Sequence, residues 1–284
     1  MRWAMRGGPN ETPIEMWQDA IERVIREERL ALVRRVMVLA ETESTQDAAL
    51  RASADGVSSL VVADRQTGGR GRLGRQWVQG EAADEGQKQK ATRGLGVAAT
   101  FALVKRDVPP ARLSIAAGLA ACRACEVAVG TGQGVRLGLR WPNDVVERDA
   151  GQRKLAGVLV ETKVETALVG IGINVRHEAE DFPAVLGGRA ASTSMLGSAA
   201  TRLDVLIELV RQFDRALGMD PDSLAAEWSR RDILVGSRRT FEHAGHRYEG
   251  TVQGVQPTSH IDLVTEDGRR VQLPALTTSL VHEG

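Results

Sequence analysis

Lys154-Leu155-Ala156-Gly157-Val158-Leu159-Val160-Glu161, followed closely by Thr166-Ala167-Leu168-Val169-Gly170-Ile171-Gly172-Ile173-Asn174-Val175, is the stretch on which the fold turns. Two β-rich runs, Lys154–Thr162 and Thr166–Val175, have few residues between them and predict a hairpin. Lys154 opens a strand otherwise destined for burial, and a lysine at such an edge either snorkels to solvent or serves an anion. Gly170 and Gly172, in alternate positions, clear one face of the second strand. That face then admits something flat, or a close-packed helix.

Upstream, Val135–Trp141 reads as a strand stopped by Pro142. Arg140-Trp141-Pro142-Asn143-Asp144 then forms a turn that holds a carboxamide and a carboxylate at the strand's edge, where they can meet a ligand or a metal; a plain polar turn fits equally. Pro109-Pro110 opens an Ala-rich helix to about Val129, preceded by a strand over Leu95–Val104. Further back lies Gly68-Gly69-Arg70-Gly71-Arg72-Leu73-Gly74-Arg75-Gln76-Trp77. Its glycines let backbone N–H groups turn toward an anion, and its arginines add donor forks matched to carboxylate or phosphate. The Gly-Lys-Ser/Thr ending of a Walker loop is absent. A solvated glycine-rich turn and an RNA-binding Arg-Gly segment are the competing readings of this loop. Residues 81–93 are charged and aperiodic and read as a mobile surface insertion. Val36–Leu39 and Ser58–Ala63 read as strands. Ser44 or Thr45 is placed to cap a helix that starts near Asp47 and runs to about Ala54. Residues 1–12 are polar, and Pro13 opens an amphipathic helix with Trp17, Ile21, Val24 and Ile25 on one face, running to about Arg35. That is too little chain for a winged helix-turn-helix module. Downstream, a Gly/Ala/Ser-rich linker (187–200) precedes helices near Leu203–Leu217 and Ser223–Arg230. Short strands separated by glycine turns follow, at Arg239–Phe241, Tyr248–Val255, His260–Thr265 and Arg270–Leu273, and predict a small β-barrel.

Composition narrows the function. The 284 residues carry 37 Lys+Arg and 37 Asp+Glu, so formal net charge is zero. A globally basic nucleic-acid binder is therefore disfavoured, and 4% aromatics leave little for a base-stacking platform. No apolar run reaches the ~18 residues of a membrane span. Nothing resembles a signal peptide, so the expected location is cytoplasmic. Cys122 and Cys125, the only cysteines, exclude a disulfide framework and read as part of a small-residue helix face rather than a redox pair. From the residues alone the chain is a nucleotide- or acid-binding protein of mixed helix and strand, with an anion-seeking loop, a lysine and a polar turn around a glycine-cleared strand.

In order and spacing, Glu43-Ser44-Thr45-Gln46, Gly69–Trp77, Arg140–Asp144, Lys154–Leu159 and Gly170–Asn174 resemble the biotin–protein ligase family (biotin–[acetyl-CoA-carboxylase] ligase), in the form without an N-terminal DNA-binding domain. The resemblance covers roughly Val36 to the C-terminus. It implies an α+β fold with a mixed central sheet backed by helices, a class II synthetase-like ligase domain, and a small C-terminal SH3-like β-barrel. The expected division is an N-terminal extension over 1–35, a catalytic biotin/ATP-binding domain over 36–232 and the SH3-like domain over 233–284. The implied reaction joins biotin and ATP, with Mg²⁺, into biotinyl-5′-AMP and pyrophosphate, and then transfers biotin to a lysine of a biotin carboxyl carrier protein domain. Neither DNA nor a membrane is implied as partner; the chain would act as a monomer or homodimer.

By motif match, Ser44, Thr45, Gln46, Gln66, Arg70, Gly71, Arg72, Lys154 and Gly157 are implied to bind biotin. Arg70, Arg72, Trp77, Asn143, Asp144, Lys154 and Asn174 are implied to surround ATP. Lys154, Arg70 and Arg72 carry the catalytic electrostatics, Lys154 bridging the carboxylate and the α-phosphate. Asp144 either helps hold Mg²⁺ or orients Lys154. Gln46 departs from the family's usual Asn, the usual Ser-Pro-x-Gly run after Trp77 is replaced by a charged insertion, and a short insertion at Glu147–Arg153 precedes Lys154. Lipoate–protein ligase is the nearest rival enzyme, and an Arg-Gly nucleic-acid binder or a silent biotin sensor the non-enzyme alternatives.

Overall fold

In the computed structural model, which describes residues 11–71, 74, 77, 94–105, 107–130, 134–142, 144–149, 151–274 and 277–281, the apolar runs become strands β1 (Arg35–Thr42), β2 (Ser59–Gln66), β3 (Gly96–Val104), β4 (Leu137–Arg140), β5 (Asp144–Glu147), β6 (Lys154–Lys163) and β7 (Thr166–Asn174). They form one seven-stranded sheet in the order β1-β2-β3-β7-β6-β5-β4. Only β1 and β2 run parallel, joined by helix α2 (Thr45–Ala52), which follows α1 (Trp17–Glu27) in the chain. The remaining neighbours are antiparallel, including the expected β6–β7 hairpin. The mixed α+β architecture is the one the resemblance implies.

Because successive side chains on a strand point to opposite faces, each central strand serves two environments. On the back face Leu60 and Val62 of β2, Val97, Ala99, Phe101 and Leu103 of β3, and Val169, Ile171 and Ile173 of β7 join one buried cluster with helices α3 (Pro110–Val129), α4 (Arg202–Gly218) and α5 (Pro221–Arg231). Phe101 meets Phe213 edge-on at 4.9 Å. Small side chains along α3, from Ala116 to Ala124, let that helix lie close to the sheet. On the front face, α2 covers Val61, Ala102 and Leu168 with Ala48 and Ala49. Cys122 and Cys125 are buried in α3 as free thiols, and burial pushes Cys125 up to about 12, so both are core rather than redox groups.

The first helix is shorter than the periodicity predicts. It begins in a 3-10 turn at Ile14–Met16 and ends at Glu27. Arg29 turns left-handed (φ 56°), and Leu30 N–H then bonds Ile25 O at 3.0 Å, the closing bond of a Schellman motif made without glycine. The freed Leu32 and Val33 are buried in the main core. Arg202, 1% exposed, ties this segment down: its Nη2 donates to Asp64 Oδ1 at 2.6 Å, its backbone N–H donates to Glu11 at 3.1 Å, and its guanidinium stands 4.9 Å from the Trp17 ring centroid. Two carboxylates thus compensate a charge that burial would otherwise penalise.

Strands β8 (Arg238–His243), β9 (His246–Gln256), β10 (His260–Thr265), β11 (Arg270–Pro274) and β12 (Thr278–Leu280) make the C-terminal antiparallel sheet, order β11-β10-β9-β8-β12, the small SH3-like unit expected. β5 and β12 are the strands the sequence reading did not separate from their flanking turns. The main buried cluster continues into this unit through Phe241, Val252, Ile261 and Leu273. Asp232 shapes the junction, accepting from Leu234 and Val235 N–H at 3.0 and 2.8 Å, while Ile233 N–H reaches Leu139 O at 3.2 Å. Among the described residues no helix is long and apolar enough to cross a membrane.

His177, 1% exposed, stacks on Phe182 with ring centroids 5.0 Å apart, and neither ring nitrogen has a hydrogen-bond partner among the described residues. Burial, and then the nearby positive charge of Arg202, lower its pKa from 6.5 to about 4. The unfolded chain therefore binds the extra proton between those values, and stability falls as pH drops through about 6.5 to 4, by about 3 kcal/mol over the whole window. Urea unfolding midpoints should decline between pH 6.5 and 5, above the main carboxylate range, and His177→Leu should flatten that decline. An unchanged slope in the variant would assign the effect elsewhere.

Candidate active site

Beyond α2, the front face of the central strands is cleared at Ala98, Gly157 and Gly172. Strand register aligns Arg140, Asp144, Gly157, Gly172, Ala98 and Ala63 in one row across six strands. Four of these six are glycine or alanine, and three of the four, Gly157, Gly172 and Ala98, floor a cavity of about 1030 Å³. The N-terminus of α2, the Arg-Gly loop, the segment around Phe182–Ala190 and the edge of β8 and β12 enclose it. Ser44, Thr45, Gln46, Gln66, Arg70, Gly71, Trp77, Asp144, Lys154, Gly157 and Asn174 all line this one space. Arg72 and Asn143 lie outside the described residues.

One end of the cavity is a neutral hydrogen-bonding pocket. Ser44 caps α2 by accepting from Gln46 N–H at 3.3 Å, so the cap is Ser44 and the helix begins two residues earlier than the sequence reading placed it. Thr100 Oγ1 donates to Thr45 Oγ1 at 2.9 Å. Gln66 Oε1 accepts from both the Thr45 hydroxyl and the Thr45 N–H, at 2.9 and 2.8 Å. Gln46 fills the space cleared by Gly170: its Nε2 donates to Leu159 O at 3.2 Å, and a Cβ at Gly170 would stand 2.8 Å from that nitrogen.

The flat group over Gly172 is Trp77. A Cβ at Gly172 would overlap the indole, and one at Gly157 would stand 3.2 Å from Trp77 Cζ3. The backbone N–H of Trp77 bonds Gly69 O at 2.9 Å, which holds the residue where its ring lies on the floor. Both occupants the sequence left open are present: helix α2, through Gln46, over Gly170, and a planar group supplied by the chain itself over Gly172.

The other end is ionic. Pairing of β5 with β6 slips between Val145 and Val146, so Val145 faces Ala156 and Val146 faces Lys154. In an unbroken strand Lys154 would share the core side of Ala156. The bulge instead lets Leu155 and Ala156 both enter the core and turns Lys154 to the front, its Nζ 2.9 Å from where a Gly157 Cβ would be. Lys154 Nζ meets Asp144 Oδ1 at 2.6 Å and stands 5.5 Å from the Trp77 ring centroid. Asp144 Oδ2 accepts from Arg140 Nη2 at 3.0 Å. Burial favours the neutral acid, but Lys154 and Arg140 outweigh it and hold Asp144 below the usual carboxylate range.

Three expected site residues are held by contacts within the chain. Each oxygen of Asp144 faces a cation, Lys154 at 2.6 Å and Arg140 at 3.0 Å. The orienting half of its expected role is the one the geometry fits. Asn174 lines the cavity, but its Nδ2 donates to Ala191 O at 3.0 Å and Lys154 O at 3.3 Å, so it pins the backbone beneath the lysine. Arg70 lies on the rim, its guanidinium forked onto Asp47 at 2.7 and 2.8 Å. This pairing lowers Asp47 and raises Arg70, and clamps the glycine loop to α2. Sequence reasoning passed over Arg140, Gln152 and Arg239 as site residues. The Arg140–Asp144 spacing across a turn was a usable signal for the first; nothing local marks Arg239, which arrives from β8.

No protein-family model matches the chain. A biotin–[acetyl-CoA-carboxylase] ligase from Mycobacterium tuberculosis is 32% identical over 225 residues, 75% of this chain and 76% of that protein. The bifunctional ligase/repressor BirA of Bacillus spizizenii is 27% identical over 225 residues, 74% of this chain. The match spans 62% of that relative's length. Among solved structures, a biotin protein ligase from Aquifex aeolicus in complex with biotin and ATP superposes with a TM-score of 0.69 at 25% identity, covering 88% of this chain and 100% of that one. With the row of small residues, the Arg-Gly loop and the lysine–carboxylate pair in one cavity, these likenesses place the chain in the biotin–protein ligase family.

Proposed function

We propose that the protein activates biotin with ATP and transfers it to a lysine of a biotin carboxyl carrier protein domain. The observation that carries the reading is Lys154: an ammonium turned by a bulge into a cavity whose far end is neutral and hydrogen-bonding. A ligand with a neutral polar head and an anionic tail suits those two ends. In this reading the Ser44, Thr45 and Gln66 pocket receives the ureido ring, with Gln46 and the backbone of Arg70 and Gly71 beside it, and the tail crosses the glycine floor toward Lys154.

Joining a carboxylate to an α-phosphate requires two oxyanions to meet. Lys154 donates to both, lowering their repulsion most where charge gathers in the transition state. The carboxylate oxygen attacks phosphorus, pyrophosphate departs, and the mixed anhydride biotinyl-5′-AMP remains. Magnesium enters with ATP and neutralises phosphate charge. Trp77 and the Arg-Gly loop, with Arg72, cover the intermediate and keep water from it. The carrier lysine supplies the nucleophile: its neutral amine attacks the acyl carbon, an amide forms, AMP leaves, and the surplus proton on the nitrogen passes to solvent. ATP contacts are assigned to Arg70, Arg72, Trp77, Asn143 and Lys154, with Asn174 and Asp144 acting from behind. We assign residues 36–232 to the catalytic domain and 233–284 to the SH3-like domain, with 1–35 leading in, and place the reaction in the cytoplasm.

Purified protein supplied with biotin and MgATP should release pyrophosphate and label a biotin carrier domain on a streptavidin blot. Labelling by lipoate and not biotin would move the assignment to lipoate ligation; inactivity with both would leave a binding protein. Lys154→Ala should reduce pyrophosphate release by roughly 100-fold or more while leaving the unfolding transition cooperative; a wild-type rate would remove its role. Gly172→Val should displace the Trp77 indole from the floor and slow adenylation by about tenfold or more, read as pyrophosphate release at saturating biotin and ATP. Full activity in that variant would show that the ring's resting place is immaterial.

A further inference from the structure

Between Lys154 and the C-terminal sheet runs an unbroken polar chain that the proposed chemistry does not use. Beyond the Lys154–Asp144–Arg140 contacts, Arg140 Nη1 donates to the backbone oxygen of Gln152 at 3.3 Å. The side chain of the same Gln152 accepts, through Oε1, from Arg239 Nη2 at 2.9 Å. All five residues line the cavity. Arg140 is 8% exposed, and Arg239 belongs to β8.

The β5–β6 turn is built to present Gln152 this way. Gln152 is left-handed at φ 49° and follows Gly151 at φ 65°, a backbone state that non-glycine residues seldom adopt. Arg153 forks onto Glu147 at 2.5 and 2.8 Å and closes the turn. One residue thereby offers its carbonyl to Arg140 and its amide to Arg239. This is the short insertion that distinguishes the chain just before Lys154.

The electrostatic effect is specific. Two cations and one carboxylate leave a single formal positive charge in excess. Without Arg140, both carboxylate oxygens would be available to Lys154, and at close range in a partly desolvated cavity that pairing would neutralise the ammonium. With Oδ2 fixed on Arg140, only Oδ1 faces Lys154, and the ammonium's remaining donors stay directed at incoming oxyanions. Resting on the role proposed for Lys154, we infer that Arg140 is a positioning residue for that lysine, steered through Gln152 by Arg239, so that the C-terminal sheet sets the strength of the adenylation step.

The test is steady-state pyrophosphate release by the full chain with biotin and MgATP. Arg140→Gln should lower kcat by roughly 10- to 100-fold with KM for biotin and ATP changed by less than about threefold. Arg140→Lys, which restores the charge, should recover most of that loss. Arg239→Ala should lower kcat by roughly threefold or more, and adding it to Arg140→Gln should cost little further, the coupling expected of one chain of contacts. Arg140→Gln within about twofold of wild type, while Lys154→Ala is inactive, would overturn the inference and leave the proposed function standing. Losses from Arg140→Gln and Arg239→Ala that multiply in full would also overturn it. If Arg140→Gln has no cooperative unfolding transition, Gln152→Ala on the exposed turn decides instead: a severalfold loss of kcat supports the chain and wild-type kcat overturns it. A wild-type protein that releases no pyrophosphate overturns both readings.

Discussion

Everything in this molecule depends on one row of small residues across the sheet. Gly157, Gly172, Ala98 and Ala63 stand in register on the front face, while their odd-numbered neighbours on β7, Val169, Ile171 and Ile173, fill the core behind. The period of two along a strand makes the two outcomes inseparable. The same strand that packs the core behind also clears a floor in front, wide enough for an indole. A larger side chain at Gly157, Gly172 or Ala98 would intrude on the cavity.

Charge is arranged around that floor so that the ends differ. Thr45, Thr100 and Gln66 satisfy one another at the α2 end with no ionised group among them. At the β5–β6 end, Asp144 is shared between Lys154 and Arg140. A half-buried carboxylate flanked by two cations keeps its own charge, and the trio retains one positive charge for anions. Arg70, paired with Asp47 on the rim, fastens the start of the Arg-Gly loop to α2. The C-terminal sheet reaches the same space through Arg239 and Gln152, so the smaller unit is a wall of the site.

The parts legible in advance were those governed by local rules. Alternation and turn residues located the β6–β7 hairpin, the Pro-led helix α3 and the glycine-punctuated C-terminal strands to within a few residues. The Arg-Gly loop, the Pro142 turn and Lys154 were singled out because their chemistry fits poorly in a core. The parts that were not legible are governed by contacts between segments. α1 ends at Glu27 through a Schellman bond made by Arg29 rather than glycine, and its buried continuation, Leu32 and Val33, keeps the helical pattern running in the sequence. β5 was hidden because Asp144 reads as a turn residue and gains its strand only by pairing with β4 and β6.

By itself, then, the sequence determined that β6 and β7 pair as a hairpin, that one face of β7 is cleared, and that a cationic loop, a lysine and a polar turn with a carboxylate describe one pocket. These follow from side-chain size, period and charge, which act over a few residues. Tertiary structure alone decided which way Lys154 points, since the bulge at Val145/Val146 exists only in the pairing of two strands and reverses the face that alternation assigns. It also decided that Trp77 lies on the glycine floor, that Asp144 serves two cations, and that Arg239 joins the site, because each of these is a meeting of residues distant in the chain, whose geometry no local pattern records.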